Sequence, residues 1–213
     1  RGRFVRTFTS PALDYLVGDA TAAYGTELLE RFRRHIVFLK PDTFIIVDDL
    51  RTAGPPRQVE WRYHPEMAGN PAELTIGGRD VTDQPFSGTG AIVSKRGEQQ
   101  VTIRFLTPAG MKTTCQPSLF AERQGRELVT VAPPRRDHVI VTLMTLGPAR
   151  DPARIAPLPV VLPSALDDCD VRAEVRDGVA HVRVTGWARG DLCLALADDG
   201  PLQSGELQAD GRF

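Results

Sequence analysis

Residues 58–64 read QVEWRYH, with Val59, Trp61 and Tyr63 on one side and Glu60, Arg62 and His64 on the other. A two-residue period cannot be met by a helix, whose side chains return to one face every 3.6 residues. It describes a half-buried antiparallel strand. The same alternation, with β-branched and aromatic enrichment, runs through residues 35–40 (HIVFLK), 43–50 (TFIIVDDL), 100–107 (QVTIRFLT), 127–131 and 138–146. Turn chemistry separates these runs: Lys40-Pro41-Asp42, Gly54-Pro55-Pro56, Gly77-Gly78, Gly88-Thr89-Gly90 and Pro133-Pro134. Residues 26–32 admit two readings, a short helix capped by Thr26 or the start of a long strand. Many short strands with almost no helix predict an all-β fold, a large antiparallel β-sandwich.

A break falls between residues 148 and 163, where five prolines (Pro148, Pro152, Pro157, Pro159 and Pro163) predict an extended, semi-rigid connector. Three short strands are expected beyond it, with Arg176-Asp177-Gly178 as a hairpin turn. This last part, residues 165–213, is acidic, with 10 Asp and Glu against 5 Arg. The expected organisation is a main sandwich over 1–147, a connector over 148–164 and a small acidic β unit over 165–213.

The whole chain has 26 basic and 27 acidic residues, a net charge of −1, which gives no electrostatic reason to bind nucleic acid. No apolar run approaches the ~20 residues of a membrane-spanning helix. Three cysteines are too few and too dispersed for a disulfide scaffold or a zinc ribbon. Cys169 and Cys193 are read on neighbouring strands and could pair in an oxidising compartment. The chain lacks GxGxxG, Walker, HExxH, GxSxG and CxxC patterns.

Few residues remain as candidates for chemistry. None of His35, His64, His138 and His181 has a second histidine nearby to form a local metal pair. His64, closing its strand, could face a cleft as a base or ligand, and a partly exposed strand-end histidine is the favoured reading. Asp48 and Asp49 point to opposite faces of a strand, so they cannot easily share one cation, and turn-making is their expected role. Arg31, Arg33 and Arg34 form the densest basic cluster and could hold carboxylates or sulfates in bidentate fashion. With Glu27 and Glu30 alongside, a solvated or salt-bridged face is the default reading of this cluster. Asp198-Asp199-Gly200 lacks the acidic spacing of a calcium loop and reads as a turn.

From Asp14 to His64 one string stands out: DYLVGDATAAY, then RFRRHIVFLKPDTFIIVDDL, a Pro-containing break, and VEWRYH. This order resembles the C-terminal β-sheet domain of heparinase II/III-like polysaccharide lyases. There D-x-T-x-x-Y precedes an Arg-bearing strand, K-P-D, a strand ending in Asp, and a Trp-containing strand closing in His. The matching positions are Asp19, Thr21, Tyr24, Arg34, Lys40-Pro41-Asp42, Asp48 or Asp49, Trp61 and His64. The match covers about a quarter of the chain, and the strands after it agree only in pattern.

The resemblance implies a stacked, supersandwich-like fold, with an α/α toroid N-terminal to it and the active site between the two. It implies β-elimination on a uronic-acid polysaccharide, which needs the carboxylate neutralised, a base for the α-proton and an acid for the leaving oxygen. The family's catalytic groups, and the His and Asp ligands of a structural divalent metal, belong to segments before the string found here. The chain, which begins at Arg1 without a methionine, therefore reads as a later piece of such an enzyme, inactive alone and without a cofactor or metal of its own. His64 and Tyr24 are carried as cleft neighbours, and Arg31, Arg33 and Arg34 as the substrate-binding set. Acidic polysaccharide and the toroid are the expected partners, with a homodimer through exposed strand edges also open. The implied location is periplasmic or secreted. Two other readings stand beside this one: a carbohydrate-binding module with exposed aromatics, and a structural sandwich with no ligand.

Overall fold

A computed structural model describes residues 1–9, 13–65, 71–82, 84–108, 110–118, 125–147, 166–176, 179–187 and 192–197. Among the described residues, thirteen strands precede the proline-rich segment. They are β1 (Arg3–Thr9), β2 (Leu13–Asp19), β3 (Leu29–Leu39), β4 (Thr43–Thr52), β5 (Arg57–Tyr63), β6 (Glu73–Ile76), β7 (Arg79–Asp80), β8 (Phe86–Gly88), β9 (Ile92–Arg96), β10 (Gln99–Thr107), β11 (Lys112–Pro117), β12 (Arg126–Arg135) and β13 (Asp137–Gly147). Three more follow: β14 (Leu166–Arg176), β15 (Val179–Trp187) and β16 (Leu192–Ala197). Among the described residues the only helical element is a 3-10 turn at Thr21–Ala23, and no helix is long and apolar enough to cross a membrane.

The strands form a nine-stranded sheet in the order β1-β2-β3-β4-β13-β10-β9-β6-β7 and a four-stranded sheet in the order β5-β12-β11-β8. Pairing is antiparallel throughout. The two sheets face each other across an apolar core. Trp61, Cys115 and Leu128 come from the small sheet, and Leu74, Ile76, Ile92 and Ile103 from the large one. Trp61 meets Phe105 edge to face, with ring centroids 5.2 Å apart. The sandwich and the small C-terminal sheet, β14-β15-β16, are as the alternation predicts.

β4 and β13 depart from the half-buried alternation expected of them, because both of their faces are covered. Ile45, Val47 and Asp49 on one face of β4, and Ile46, Asp48 and Leu50 on the other, are all buried. A strand covered on both faces has no solvent side to mark with polar residues. β3, one strand nearer the edge, alternates: His35, Val37 and Leu39 are buried, while Ile36 and Phe38 are only half-buried. β5 keeps the predicted faces, with Trp61 in the core, Val59 and Tyr63 packed beside it, and Arg62 exposed.

Of the two readings of residues 26–32, the strand holds from Leu29 onward. Pro133-Pro134 is not a turn. β12 continues through both prolines with a shift in its register against β5, and the reversal into β13 comes at Arg136. A proline lacks the N–H that a regular ladder needs, and a register shift is where a strand tolerates it. In the C-terminal sheet, Arg176 pairs with Val179, as the hairpin reading requires. Cys169 and Cys193 are not on neighbouring strands, because β15 lies between β14 and β16. Two strand spacings amount to ~9–10 Å, more than the ~7 Å that a disulfide spans between Cα atoms. The connector over 148–164, Asp198-Asp199-Gly200, and the side chains of His181 and Trp187 lie outside the described residues.

Candidate functional site

The β3–β4 hairpin sorts the arginine cluster onto two faces. Arg34 lies opposite Asp48 and Arg33 opposite Asp49, so adjacent residues pair on opposite sides of the sheet. Arg34 grips Asp48 with two hydrogen bonds, Nε to Oδ1 at 2.5 Å and Nη2 to Oδ2 at 2.9 Å. On the other face Arg31 Nη2 donates to Asp49 Oδ1 at 2.8 Å, and Arg33 lies 3.7 Å from Asp19. Asp48 and Asp49 therefore do not make a turn. Both are buried mid-strand, and a guanidinium from β3 offsets the cost of burying each.

Asp48 is 1% exposed, whereas the Arg34 side chain is 41% exposed. Burial pushes the Asp48 carboxyl up, against the hydrogen bonds and charge of Arg34. The Trp61 indole N–H adds a weaker pull favouring the carboxylate, though its nitrogen is buried without a well-formed hydrogen bond. Partial burial pulls the Arg34 guanidinium down, but Asp48 more than offsets this and holds it up. The two partners thus pull in opposite directions on the proton. With both carboxylate oxygens held by a half-exposed guanidinium, the ion pair is the form at neutral pH.

Tyr24 is set beside Arg34 by the string D-A-T-A-A-Y. Asp19 Oδ1 accepts the Thr21 N–H at 3.0 Å, and Thr21 Oγ1 accepts the Phe32 N–H at 2.8 Å. Ala20 N–H donates to Phe32 O at 2.8 Å, so the 3-10 turn is tied to β3 at two points. Burial works against the charge on Asp19, yet Thr21, Arg33 and Arg3 hold its carboxyl below the usual range. The turn leaves Tyr24 47% exposed, its ring tilted on Phe32 at 5.6 Å. Phe32 in turn lies under the Arg34 guanidinium, 5.9 Å from its ring centroid. Tyr24, Phe32 and Arg34 thus form one surface patch, clamped from below by Asp48.

His64 belongs to a different surface, the face of the four-stranded sheet turned away from the large one. Its Nδ1 lies 3.8 Å from Oε2 of Glu127, a carboxylate with no exposed surface. Glu127 Oε1 accepts from Arg62 Nη1 at 2.9 Å and Gln116 Nε2 at 2.8 Å. On the large sheet, on the face opposite Arg34, Tyr15 and His35 share a buried hydrogen bond of 2.9 Å. The structure thus brings Tyr24 and Arg34 together and sets Arg31, Arg33 and His64 elsewhere. No group of three or more His, Cys, Asp and Glu residues that could hold a metal occurs among the described residues.

Sequence reasoning passed over Phe4 and Gly18, which flank this patch. Phe4 pairs with Gly18, Gly18 with Arg34 and Arg34 with Asp48, which places all four in one cross-strand row. The available signal was a glycine inside an apolar run, LVGD, where a strand has no use for one.

No protein-family model and no curated protein matches the chain. Solved structures do share its fold. Heparan sulfate lyase HepC from Pedobacter heparinus is similar at a TM-score of 0.53 and 12% sequence identity, over 97% of this chain and 29% of that one. A mutant of HepC gives 0.52 and 11%, over the same shares. A heparinase III gives 0.50 and 12%, over 92% of this chain and 27% of that one. The chain therefore has the β-sandwich fold present in heparan sulfate lyases, and it spans less than a third of the length of these proteins.

Proposed function

We propose that the chain is the β-sandwich part of a heparinase III-like polysaccharide lyase. In the intact enzyme it would wall one side of a cleft for an acidic, uronate-containing polysaccharide. The observation that carries the reading is the match over 97% of the chain to HepC, joined to the string from Asp14 to His64. On this reading a base removes the proton α to the uronate carboxylate, the bond to the leaving oxygen breaks, and an acid protonates that oxygen. Tyr24 and His64 are on different surfaces of the sandwich, so these two do not serve as base and acid to one sugar. The β-sandwich part would be inactive by itself and work in the periplasm or outside the cell, joined to an α/α toroid that brings the remaining groups.

The test is formation of unsaturated uronate, read by its ultraviolet absorbance. The 213-residue protein and a longer protein containing it would be compared on heparan sulfate and on alginate. Elimination by the longer protein alone is the expected result. Elimination by the 213-residue protein would overturn the assignment of a scaffold and make His64 and Tyr24 the first residues to replace. A second reading, a non-catalytic carbohydrate-binding module, draws on the exposure of Tyr24 and Phe4, at 47% and 74%. Glycan binding without elimination in either protein would favour it.

A further inference from the structure

We propose that the open trough over Gly18, walled by Phe4 on one side and by Arg34 with Tyr24 on the other, binds one acidic pyranose unit of a glycan. The proposal rests on the polysaccharide reading only for the class of ligand. Its evidence is the trough itself. Glycine inside a strand costs ~0.5–1 kcal/mol relative to alanine and needs a reason. The common reasons fail here. Gly18 lacks the positive φ that glycine serves, and a Cβ built on it meets nothing within 4 Å. It pairs directly with Phe4 and with Arg34, and the register shift between Phe4 and Arg6 puts the extra residue on β1, so Gly18 is not the bulged residue that a glycine would serve. The remaining reason for glycine in a strand is close approach by something else.

The walls say what fits. Phe4 is 74% exposed and Tyr24 47%, and exposed rings on either side of a gap one side chain wide suit the C–H faces of a sugar ring. Arg34 spends Nε and Nη2 on Asp48, which fixes the guanidinium plane and leaves the Nη1 edge for a carboxylate or sulfate oxygen. Because Asp48 already balances the charge, Arg34 here selects by direction more than by attraction. Binding should therefore weaken only modestly with salt, unlike binding to an open arginine cluster.

The probes are uronate hexasaccharides from heparan sulfate and from alginate, and the same oligosaccharides after carboxyl reduction. Binding to the 213-residue protein would be measured by calorimetry. The key variant is Gly18→Val, which fills the trough without strain and suits a strand. We expect the unmodified protein to bind at least one acidic hexasaccharide, and to bind its reduced form more weakly. Gly18→Val should lose ~10-fold or more in affinity with no fall in melting temperature, and Tyr24→Ala a smaller factor. Unchanged affinity in Gly18→Val, equal binding of acidic and reduced forms, or no binding by the folded protein would each overturn the proposal. Its failure is separable from that of the lyase reading. Elimination in a longer protein that Gly18→Val leaves untouched would remove the trough alone. Binding lost in Gly18→Val with no elimination anywhere would remove the lyase alone.

Discussion

Replacing Arg34 by Met tests the logic of the β3–β4 hairpin directly. The change keeps most of the side-chain volume and removes both hydrogen bonds to Asp48. Asp48 is then left 1% exposed with no cation. Breaking a wholly buried pair from one side costs ~3–5 kcal/mol. Here the Arg34 side chain is 41% exposed and solvent screens part of its charge, so we expect a loss of ~2–4 kcal/mol. Urea denaturation of Arg34→Met, Asp48→Leu and the double variant would close a cycle. The double variant should recover most of the loss, because no buried charge is left unpaired. The pH dependence has a fixed sign. Burial raises the folded-state pKa of Asp48 above its unfolded value, and without Arg34 nothing comparable opposes it. A raised group contributes stability below the unfolded pKa and loses it as pH rises through the folded one. The deficit of Arg34→Met must therefore shrink as pH falls from 7 toward 4. A loss below ~0.5 kcal/mol, additive behaviour in the double variant, or a deficit that grows in acid would refute the reasoning.

Three further outcomes follow from the same geometry. His138 Nε2 bridges the carbonyls of Arg57 and Arg135 at 3.0 and 2.9 Å, and burial lowers its pKa against the pull of those carbonyls. A lowered group contributes stability above its unfolded pKa, ~6.5, and loses it as pH falls through the folded value. The unmodified protein should thus lose stability relative to His138→Gln between pH 7 and 5, read from paired melts. Gly77 has a φ of +58° and an added Cβ would lie 2.5 Å from Thr89 O, whereas Gly54, at +70°, has open space. Gly77→Ala should cost clearly more than the ~1 kcal/mol expected of Gly54→Ala, measured in urea. Ile45→Ala, at a side chain with no exposed surface, should cost ~2–5 kcal/mol in the same assay, depending on how far the site collapses.

The strands that alternate were legible because one face met solvent, as in residues 58–64. The turn glycines and Lys40-Pro41-Asp42 were legible through backbone chemistry. Asp48 and Asp49 were misread because two adjacent carboxylates at a strand end look like turn formers, and only the cross-strand register shows that arginines oppose them. Pro133-Pro134 misled for a related reason. Whether a strand can pass through prolines depends on the register of its partner, which is a non-local fact. The pairing of Cys169 with Cys193 failed on strand order, which local pattern does not encode. The patch at Tyr24 was half visible. Its string was noticed, yet the row Phe4–Gly18–Arg34 joins three strands that only the fold places together.

The arrangement of R-F-R-R against D-D has a consequence for how the hairpin finds its register. Because Asp48 and Asp49 face opposite ways, each needs its own guanidinium, and β3 supplies Arg34 on one face and Arg31 on the other. Slipping the pairing by one residue would turn each carboxylate to the face of the wrong arginine. Slipping it by two would set Asp48 against Phe32 or Ile36, leaving a buried charge unpaired at several kcal/mol. The apolar residues alone would not discriminate so sharply, since Ile45, Ile46 and Val47 are buried on both faces and accept either register. The charged pairs therefore specify what the hydrophobic run cannot. By holding Arg34 in one position, the same lock leaves one edge of its guanidinium at the surface in a fixed orientation, beside the unfilled space over Gly18.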